Sequence, residues 1–272
     1  MQWDRWHDRL HKNETDLVRL ELLNCVADEE AEQIAEALLV NTVLESLRLT
    51  HNGNLYNRIK AQGAGKIAEA LLVNQVLKTL DLGRNDIKSA GAAQIAEALK
   101  KNSVLTTLHL DYNGIPAAGA EKTGEMLRNN KVLMTLRLNG NKIGSEGAGK
   151  LAAALKVNQV LTTLDLTGND IGSEGAGELA DALKVNNVLK TLGLGINGIG
   201  NLGAGLMGEA LKINKALETV SHAYSNIGTW GARKLAEALT VNQVGSFCSS
   251  VCLSACPPVR LSVCLSVSLS LA

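Results

Sequence analysis

The stretch Leu77-Lys-Thr-Leu80-Asp-Leu82-Gly-Arg-Asn85-Asp-Ile87-Lys-Ser-Ala-Gly91-Ala92-Ala-Gln-Ile95-Ala96-Glu-Ala-Leu99-Lys-Lys-Asn102 runs through two hydrophobic periods in succession. Leu77, Leu80 and Leu82 put apolar groups on one side of a short extended segment, with the residues between them turned away, so the segment reads as a strand. Ala92, Ile95, Ala96 and Leu99 share one face of a helix of about three turns. The stretch then begins again. Its opening leucine recurs as Leu105, Leu133, Leu161, Leu189 and Leu217 at a spacing of 28 residues. Leu44 opens an earlier copy with about five extra residues between Asn52 and Gly63, and Leu17 a divergent first one. About eight units therefore span 17–244. One unit cannot hide its own leucines, so successive units must stack. The expected fold is an α/β horseshoe solenoid, with parallel strands on the concave face and helices on the convex face.

Two further positions recur. After each strand comes Asn85, Asn113, Asn141, Asn169 or Asn197, with Asn52 and Cys25 in the earlier units. A side-chain amide both donates and accepts, so a stacked ladder of these residues can satisfy backbone groups in the turns, where no sheet does so. Asn74, Asn102, Asn130, Asn158, Asn186, Asn214 and Asn242 lie just past the helices, where Asn suits a left-handed stop.

The pattern L-x-x-L-x-L-x-x-N/C with a helix in each unit resembles the ribonuclease-inhibitor-like class of leucine-rich repeats. Within that class, the Gly-Ala starts, Ala-Glu-Ala-Leu helices and Asn-x-x-Leu links resemble the repeats of NOD-like receptors, with Ran GTPase-activating proteins more distant. The resemblance implies a non-enzymatic, cytoplasmic, monomeric scaffold that binds a protein on its concave face, without the nucleotide-binding module of those receptors. A Ran-type GTPase activator is the alternative, against which stands the absence of an acidic segment after the repeats.

Composition agrees with that class. The chain has 272 residues, 46% hydrophobic and 3% aromatic, with 26 Gly and 3 Pro, which suits many repeated short turns. Twenty-seven basic residues balance 27 acidic ones, so no net field draws nucleic acid or an anionic membrane.

The ends differ from the middle. Residues 1–16 lack the apolar core of a signal peptide, and Trp3 and Trp6 are expected to cover the first unit. In the tail, 245–272, charge nearly vanishes, and from Ser246 the Leu-Ser-Val-Cys cycle is what a CTGT tetranucleotide repeat encodes. The tail is expected to be disordered and to add no domain. Four of the five cysteines fall in it, so neither a disulfide framework nor a metal site is expected. In the last unit His222 replaces a core leucine and Ser225 the ladder Asn, which predicts a poorly packed eighth strand. Trp230, read as a loop residue, is expected to cover that edge.

Catalytic motifs are weak. Gly144-Ser-Glu-Gly-Ala-Gly-Lys150 imitates a phosphate-binding loop, but Leu151 stands where a hydroxyl is needed and the next unit keeps the frame with Glu178. No cofactor, metal or catalytic set is expected. The candidate partner surface is the concave row centred on Arg48, Asp81, Arg84, His109, Asp111, Tyr112 and Arg137, with His51 beside it, since exposed Arg and Tyr are favoured anchors. These alternating charges could instead simply pair across strands. Units seven and eight present only Gly193, Gly195 and Ala223 to this reading. The insertion Gly53-Asn-Leu-Tyr-Asn-Arg-Ile59 is a second candidate contact.

Overall fold

The computed structural model describes residues 2–50, 58–241, 249–250 and 264–265. Strands and helices alternate: α1 (Gln2–His11), β1 (Arg19–Leu23), α2 (Asp28–Val40), β2 (Ser46–Thr50), α3 (Ala61–Leu71), β3 (Thr79–Asp81), α4 (Lys88–Leu99), β4 (Thr107–His109), α5 (Ala117–Asn129), β5 (Thr135–Arg137), α6 (Gly144–Leu155), β6 (Thr163–Asp165), α7 (Gly172–Leu183), β7 (Thr191–Gly193), α8 (Gly200–Ile213), β8 (Thr219–Ser221) and α9 (Thr229–Val241). The strands form one parallel sheet in the order β1 to β8, each hydrogen-bonded to its sequence neighbours. Its register follows the repeat, with Leu80 opposite Leu108, Leu108 opposite Leu136 and so on. The unit leucines are buried between that sheet and the helices in one continuous core. This is the horseshoe solenoid that the period predicts.

Helix spacing is set by glycine. A Cβ on Gly147 would lie 2.7 Å from Ile143 Cγ2 and 3.0 Å from Ala117 Cα, so only a bare Cα lets α6 approach α5. The helices begin earlier than these glycines, at Gly144 and Gly172 in units five and six, where φ is positive. Two helix starts are capped from the preceding unit. Asp28 Oδ1 accepts from the N–H groups of Lys60 (2.7 Å) and Gly63 (2.9 Å), and Asn201 Oδ1 from those of Gly228 (3.0 Å) and Gly231 (2.9 Å).

The buried asparagines after the strands each reach back one unit. Asn141 Nδ2 donates to Leu110 O (3.0 Å) in the preceding unit and to Leu138 O (2.7 Å) in its own, while its Oδ1 accepts from Asn113 N (2.9 Å) and Ile115 N (3.0 Å). Asn85, Asn113, Asn169 and Asn197 do the same. Because the reach is backwards, the first unit has nothing to reach for, and Cys25 there is exposed. Asn52 lies outside the described residues.

The helix-end asparagines correct an expectation. None of the described ones is left-handed: Asn41, Asn130 and Asn214 have φ between −66° and −77° and ψ between 128° and 132°. They form a second buried ladder. Asn102 Nδ2 donates to Leu71 O (2.8 Å) at the end of the previous helix, and its Oδ1 accepts from Leu105 N (2.8 Å). The amide thus serves the neighbouring unit, and the backbone adopts the extended form that aims it there. At the start of the array Asn41 Nδ2 donates to Leu10 O of α1 (2.8 Å), so α1 stands in for a preceding unit. Leu10 is buried and Trp6 packs partly against the core, beneath the Arg9 guanidinium 5.2 Å from its ring centroid. Arg9 is held in turn by Asp16 (2.8 Å) and Glu14. The Trp3 side chain lies outside the described residues.

The last unit is better formed than its sequence suggests. β8 keeps register with β7, Val220 is buried, and Ser225 Oγ keeps two ladder bonds, donating to Leu194 O (3.1 Å) and accepting from Asn197 N (3.3 Å). Trp230 is not in a loop but in the first turn of α9, half exposed, with its ring over Gly205 of α8. It covers the neighbouring helix and not the edge. Beyond α9, most of the tail lies outside the described residues; Ser249–Ser250 (β9) and Cys264–Leu265 (β10) pair antiparallel.

His222 is buried with no partner for either ring nitrogen, and that burial pushes its pKa down from 6.5 to about 4. The unfolded chain therefore takes up the proton first. Stability is complete above pH 6.5 and falls as pH drops toward 4, by about 3 kcal/mol centred on the last unit. Urea denaturation at pH 7.5 and 4.5 should show this loss in the wild type and not in His222→Leu, which should also be the more stable protein at both values. In the ladder, Asn141→Ala strands two N–H groups and two carbonyls and should cost about 3 kcal/mol or more by the same measurement. Asn141→Ser, which Ser225 imitates, should cost clearly less; a loss under about 1 kcal/mol for the alanine variant would show that the ladder is not needed.

Candidate partner-binding face

In-register pairing lines up Glu21, Arg48, Asp81, His109, Arg137 and Asp165 across the concave sheet. Signs alternate from Glu21 to Asp81 and again from Arg137 to Asp165, with His109 between the two runs, and oppositely charged neighbours meet. Arg48 lies 3.0 Å from Glu21 and 3.1 Å from Asp81, His109 Nδ1 is 3.6 Å from Asp81, and Arg137 Nε is 3.0 Å from Asp111 and 4.0 Å from Asp165. The charged residues singled out from sequence are thus brought together, and they pair with one another. His51 lies outside the described residues, as do residues 53–57 of the insertion.

The carboxylates also tie the turns. Asp81 Oδ1 accepts from Gly83 N (2.9 Å), Asp165 Oδ1 from Thr167 N (3.1 Å) and Asp111 Oδ1 from Asn139 N (3.0 Å) of the next unit. Burial pushes the Asp81 carboxyl up, but His109, the Gly83 N–H and Arg48 outweigh it and hold the group below its usual range. For Asp111 burial wins over Arg137 and the Asn139 N–H, with Asp165 adding repulsion, so its carboxyl sits above the usual range. This is a charge ladder of low net field. Nothing in it resembles a nucleophile with its base, and among the described residues no group of His, Cys, Asp and Glu is placed to hold a metal. Lys150, the lysine of the phosphate-loop lookalike, is engaged by Glu121 at 3.0 Å, and Leu151 is core.

A second row borders the ladder, and sequence reading found only its first half. The residue before each ladder asparagine is left-handed: Arg84 (φ 61°), Tyr112 (φ 53°), Gly140, Gly168, Ile196 (φ 54°) and Tyr224 (φ 55°). The Arg84 guanidinium stacks 4.6 Å from the Tyr112 ring centroid, and the other side of that ring covers Gly140, where a Cβ would come within 2.3 Å. Further along, Ile196 is 58% and Tyr224 70% exposed. Units seven and eight are therefore not bare. The signal was present, because Ile196 and Tyr224 stand 84 and 112 residues after Tyr112, three and four whole units of 28. The positions Gly193, Gly195 and Ala223 carry no such signal.

A family model described as Leucine Rich repeat matches residues 73–96, 101–122, 129–152 and 157–180. These four segments are leucine-rich repeats, and the sheet of eight parallel strands with its intervening helices is the leucine-rich-repeat solenoid fold. Each matched segment takes in the end of one repeat and the strand, turn and helix of the next, the portion that carries both asparagine ladders. No curated protein matches the chain. Among solved structures, the leucine-rich-repeat-containing protein LegL7 from Legionella pneumophila is 18% identical, with a TM-score of 0.48, covering 89% of this chain and 87% of its own. The leiomodin-1 actin-binding site 2 is 23% identical with a TM-score of 0.42, covering 60% of this chain and 78% of its own. The tropomodulin C-terminal domain of Caenorhabditis elegans is 14% identical with a TM-score of 0.40, covering 79% and 93%.

An exposed β-branched residue with positive φ is a true backbone outlier. Ile196 is more than half exposed, and the equivalent residues in units five and six are Gly140 and Gly168. Ile196→Gly should therefore raise stability by about 1 kcal/mol, and Gly168→Ile should lower it by a similar amount. Thermal denaturation of the two variants checks this; a fall in midpoint for Ile196→Gly would show that the side chain is held by packing.

Proposed function

We propose that this protein is a non-enzymatic, cytoplasmic, monomeric scaffold of the NOD-like-receptor repeat type, whose concave face and bordering turns bind another protein. The observation that carries this reading is the left-handed row of Arg84, Tyr112, Ile196 and Tyr224. Non-glycine residues in that conformation cost stability, and backbone strain of this kind collects where a protein meets ligands. Large exposed side chains held there repay the fold little; Arg and Tyr are the side chains that anchor interfaces.

The charge ladder supports the same reading. The Asp81 and Asp111 carboxylates are mostly buried while the Arg48 and Arg137 guanidinium groups paired with them are about half exposed, so a partner presenting its own carboxylates can engage those guanidinium groups from the open side without unpairing the ladder. Balanced charge favours a protein over nucleic acid. Among the described residues no helix is long and apolar enough to cross a membrane.

Affinity capture with quantitative mass spectrometry tests the proposal. The full chain and its Arg48→Ala, Arg84→Ala, Tyr112→Ala, Ile196→Ala, Tyr224→Ala combination are compared, each with its thermal midpoint. The expected result is at least a tenfold loss of a defined set of captured proteins with the fold retained. Identical capture by a folded variant would remove the concave face from consideration.

A further inference from the structure

The opposite rim of the array, where each helix ends and the next strand begins, carries a surface that the concave reading leaves unused. Lys101, Arg128, Lys131, Lys156 and Lys215 all fall within two residues of a helix-end asparagine and are exposed. None has an ion-pair partner within 4 Å among the described residues, although Lys156 lies near enough to Asp181 to help hold that carboxyl below its usual range. The carboxylates on this rim are already engaged, Glu45 by Lys78 (2.6 Å), Asp181 by Lys184 (2.7 Å), Glu209 by Lys212 (2.7 Å) and Glu218 by Lys190 (2.9 Å). The rim therefore has a surplus of positive charge on a molecule whose total is zero.

Between these cations runs an apolar row. Val157, Val185, Ile213 and Val241, the residues immediately before the helix-end asparagines of units five to eight, are 55%, 55%, 56% and 57% exposed. Val157, Val185 and Ile213 are neighbours in space, because the asparagines beside them are hydrogen-bonded from unit to unit: Asn186 Nδ2 donates to Asn158 O (3.1 Å) and Asn214 Nδ2 to Asn186 O (2.7 Å), and Val241 ends α9, which packs against α8. The fold does not ask for these side chains. Units one and two carry Val40 and Val73 at the same point, but units three and four place Lys101 and Asn129 there with the same ladder, so the position accepts polar residues and the run from Val157 to Val241 is set apart from the earlier pair. Ile213 and Val241 are moreover the last residues of α8 and α9, where β-branched residues are poor choices for an exposed turn. Four exposed aliphatic side chains in a line approach the few hundred Å² at which apolar patches mark interaction sites.

We propose that this rim binds an acidic amphipathic helix of a partner protein, its apolar stripe on Val157, Val185, Ile213 and Val241 and its carboxylates against Lys156 and Lys215. The dimensions suit it, since packed helices lie about 8–10 Å apart and four successive helix ends therefore span about 25–30 Å, the length of a helix of about 18 residues. An anionic bilayer fits less well: the row lacks the Trp, Phe and Leu that bury into lipid, and the whole chain is neutral.

The test uses the full chain and fluorescence anisotropy with a labelled helical peptide of roughly 18 residues, long enough for a stable helix, with leucines at i, i+3, i+4 and i+7 flanked by glutamates. Its twin carries lysines in place of glutamates. Val157→Ser, Val185→Ser, Ile213→Ser in combination, and separately Lys156→Glu with Lys215→Glu, should each weaken the acidic peptide at least tenfold with unchanged thermal midpoints. Added salt should weaken wild-type binding, and Arg84→Ala with Tyr112→Ala should leave it unchanged. Wild-type affinity in either folded rim variant, or equal binding of the lysine twin, overturns the proposal. So does loss of binding in the Arg84, Tyr112 variant, which would put the peptide on the concave face. Flotation with phosphatidylserine vesicles by a protein that ignores the acidic peptide would assign the rim to a membrane instead.

Discussion

A single repeat presents one row of leucines from a three-residue strand and one face of a short helix, and water can be kept from them only by the next repeat. That constraint governs everything else. Stacking closes the core, but it also buries peptide groups in the two turns of each unit, where neither sheet nor helix can pair them. The cost of an unpaired buried peptide group is large enough that each turn needs a dedicated partner. Two asparagine ladders supply it, one after the strands and one after the helices, and both reach backwards along the chain. The direction of that reach explains the ends. The first repeat needs α1 as a surrogate predecessor, whereas its own ladder position tolerates an exposed cysteine.

Once the interior is fixed in this way, the surfaces are left with unequal freedom. Strand residues facing the concavity stand side by side with no room to avoid one another, so alternating charge becomes a ladder of ion pairs. The turn before each ladder asparagine is forced to be left-handed, which glycine meets without strain, yet four of the six units from the third to the eighth carry Arg, Tyr or Ile there. The helix-end rim is unconstrained by comparison, and it is where unpaired cations and exposed aliphatic residues accumulate.

The repeat was legible in the sequence because its grammar is local: leucine spacing, the ladder asparagines and the Gly-Ala helix starts recur within 28 residues. The concave residues were legible too, since strand alternation says which side chains face out. Geometry between units was not. That Arg48 pairs with Glu21 and Asp81, and Arg137 with Asp111, depends on register, and that the helix-end asparagines are extended depends on where their amides must point. His222 and Ser225 look like decay when read alone; in three dimensions the shorter hydroxyl still reaches a carbonyl and the strand still pairs, leaving the imidazole as the true defect.

The most direct measurement is urea unfolding of a nested series ending after repeats four, five, six and seven, compared with a peptide covering one repeat alone. If neighbours are what bury each leucine row, stability and its denaturant dependence should climb in steady steps with each added repeat, and the lone repeat should show no cooperative transition. A lone repeat that folds cooperatively, or a series whose stability does not change with length, would contradict the account.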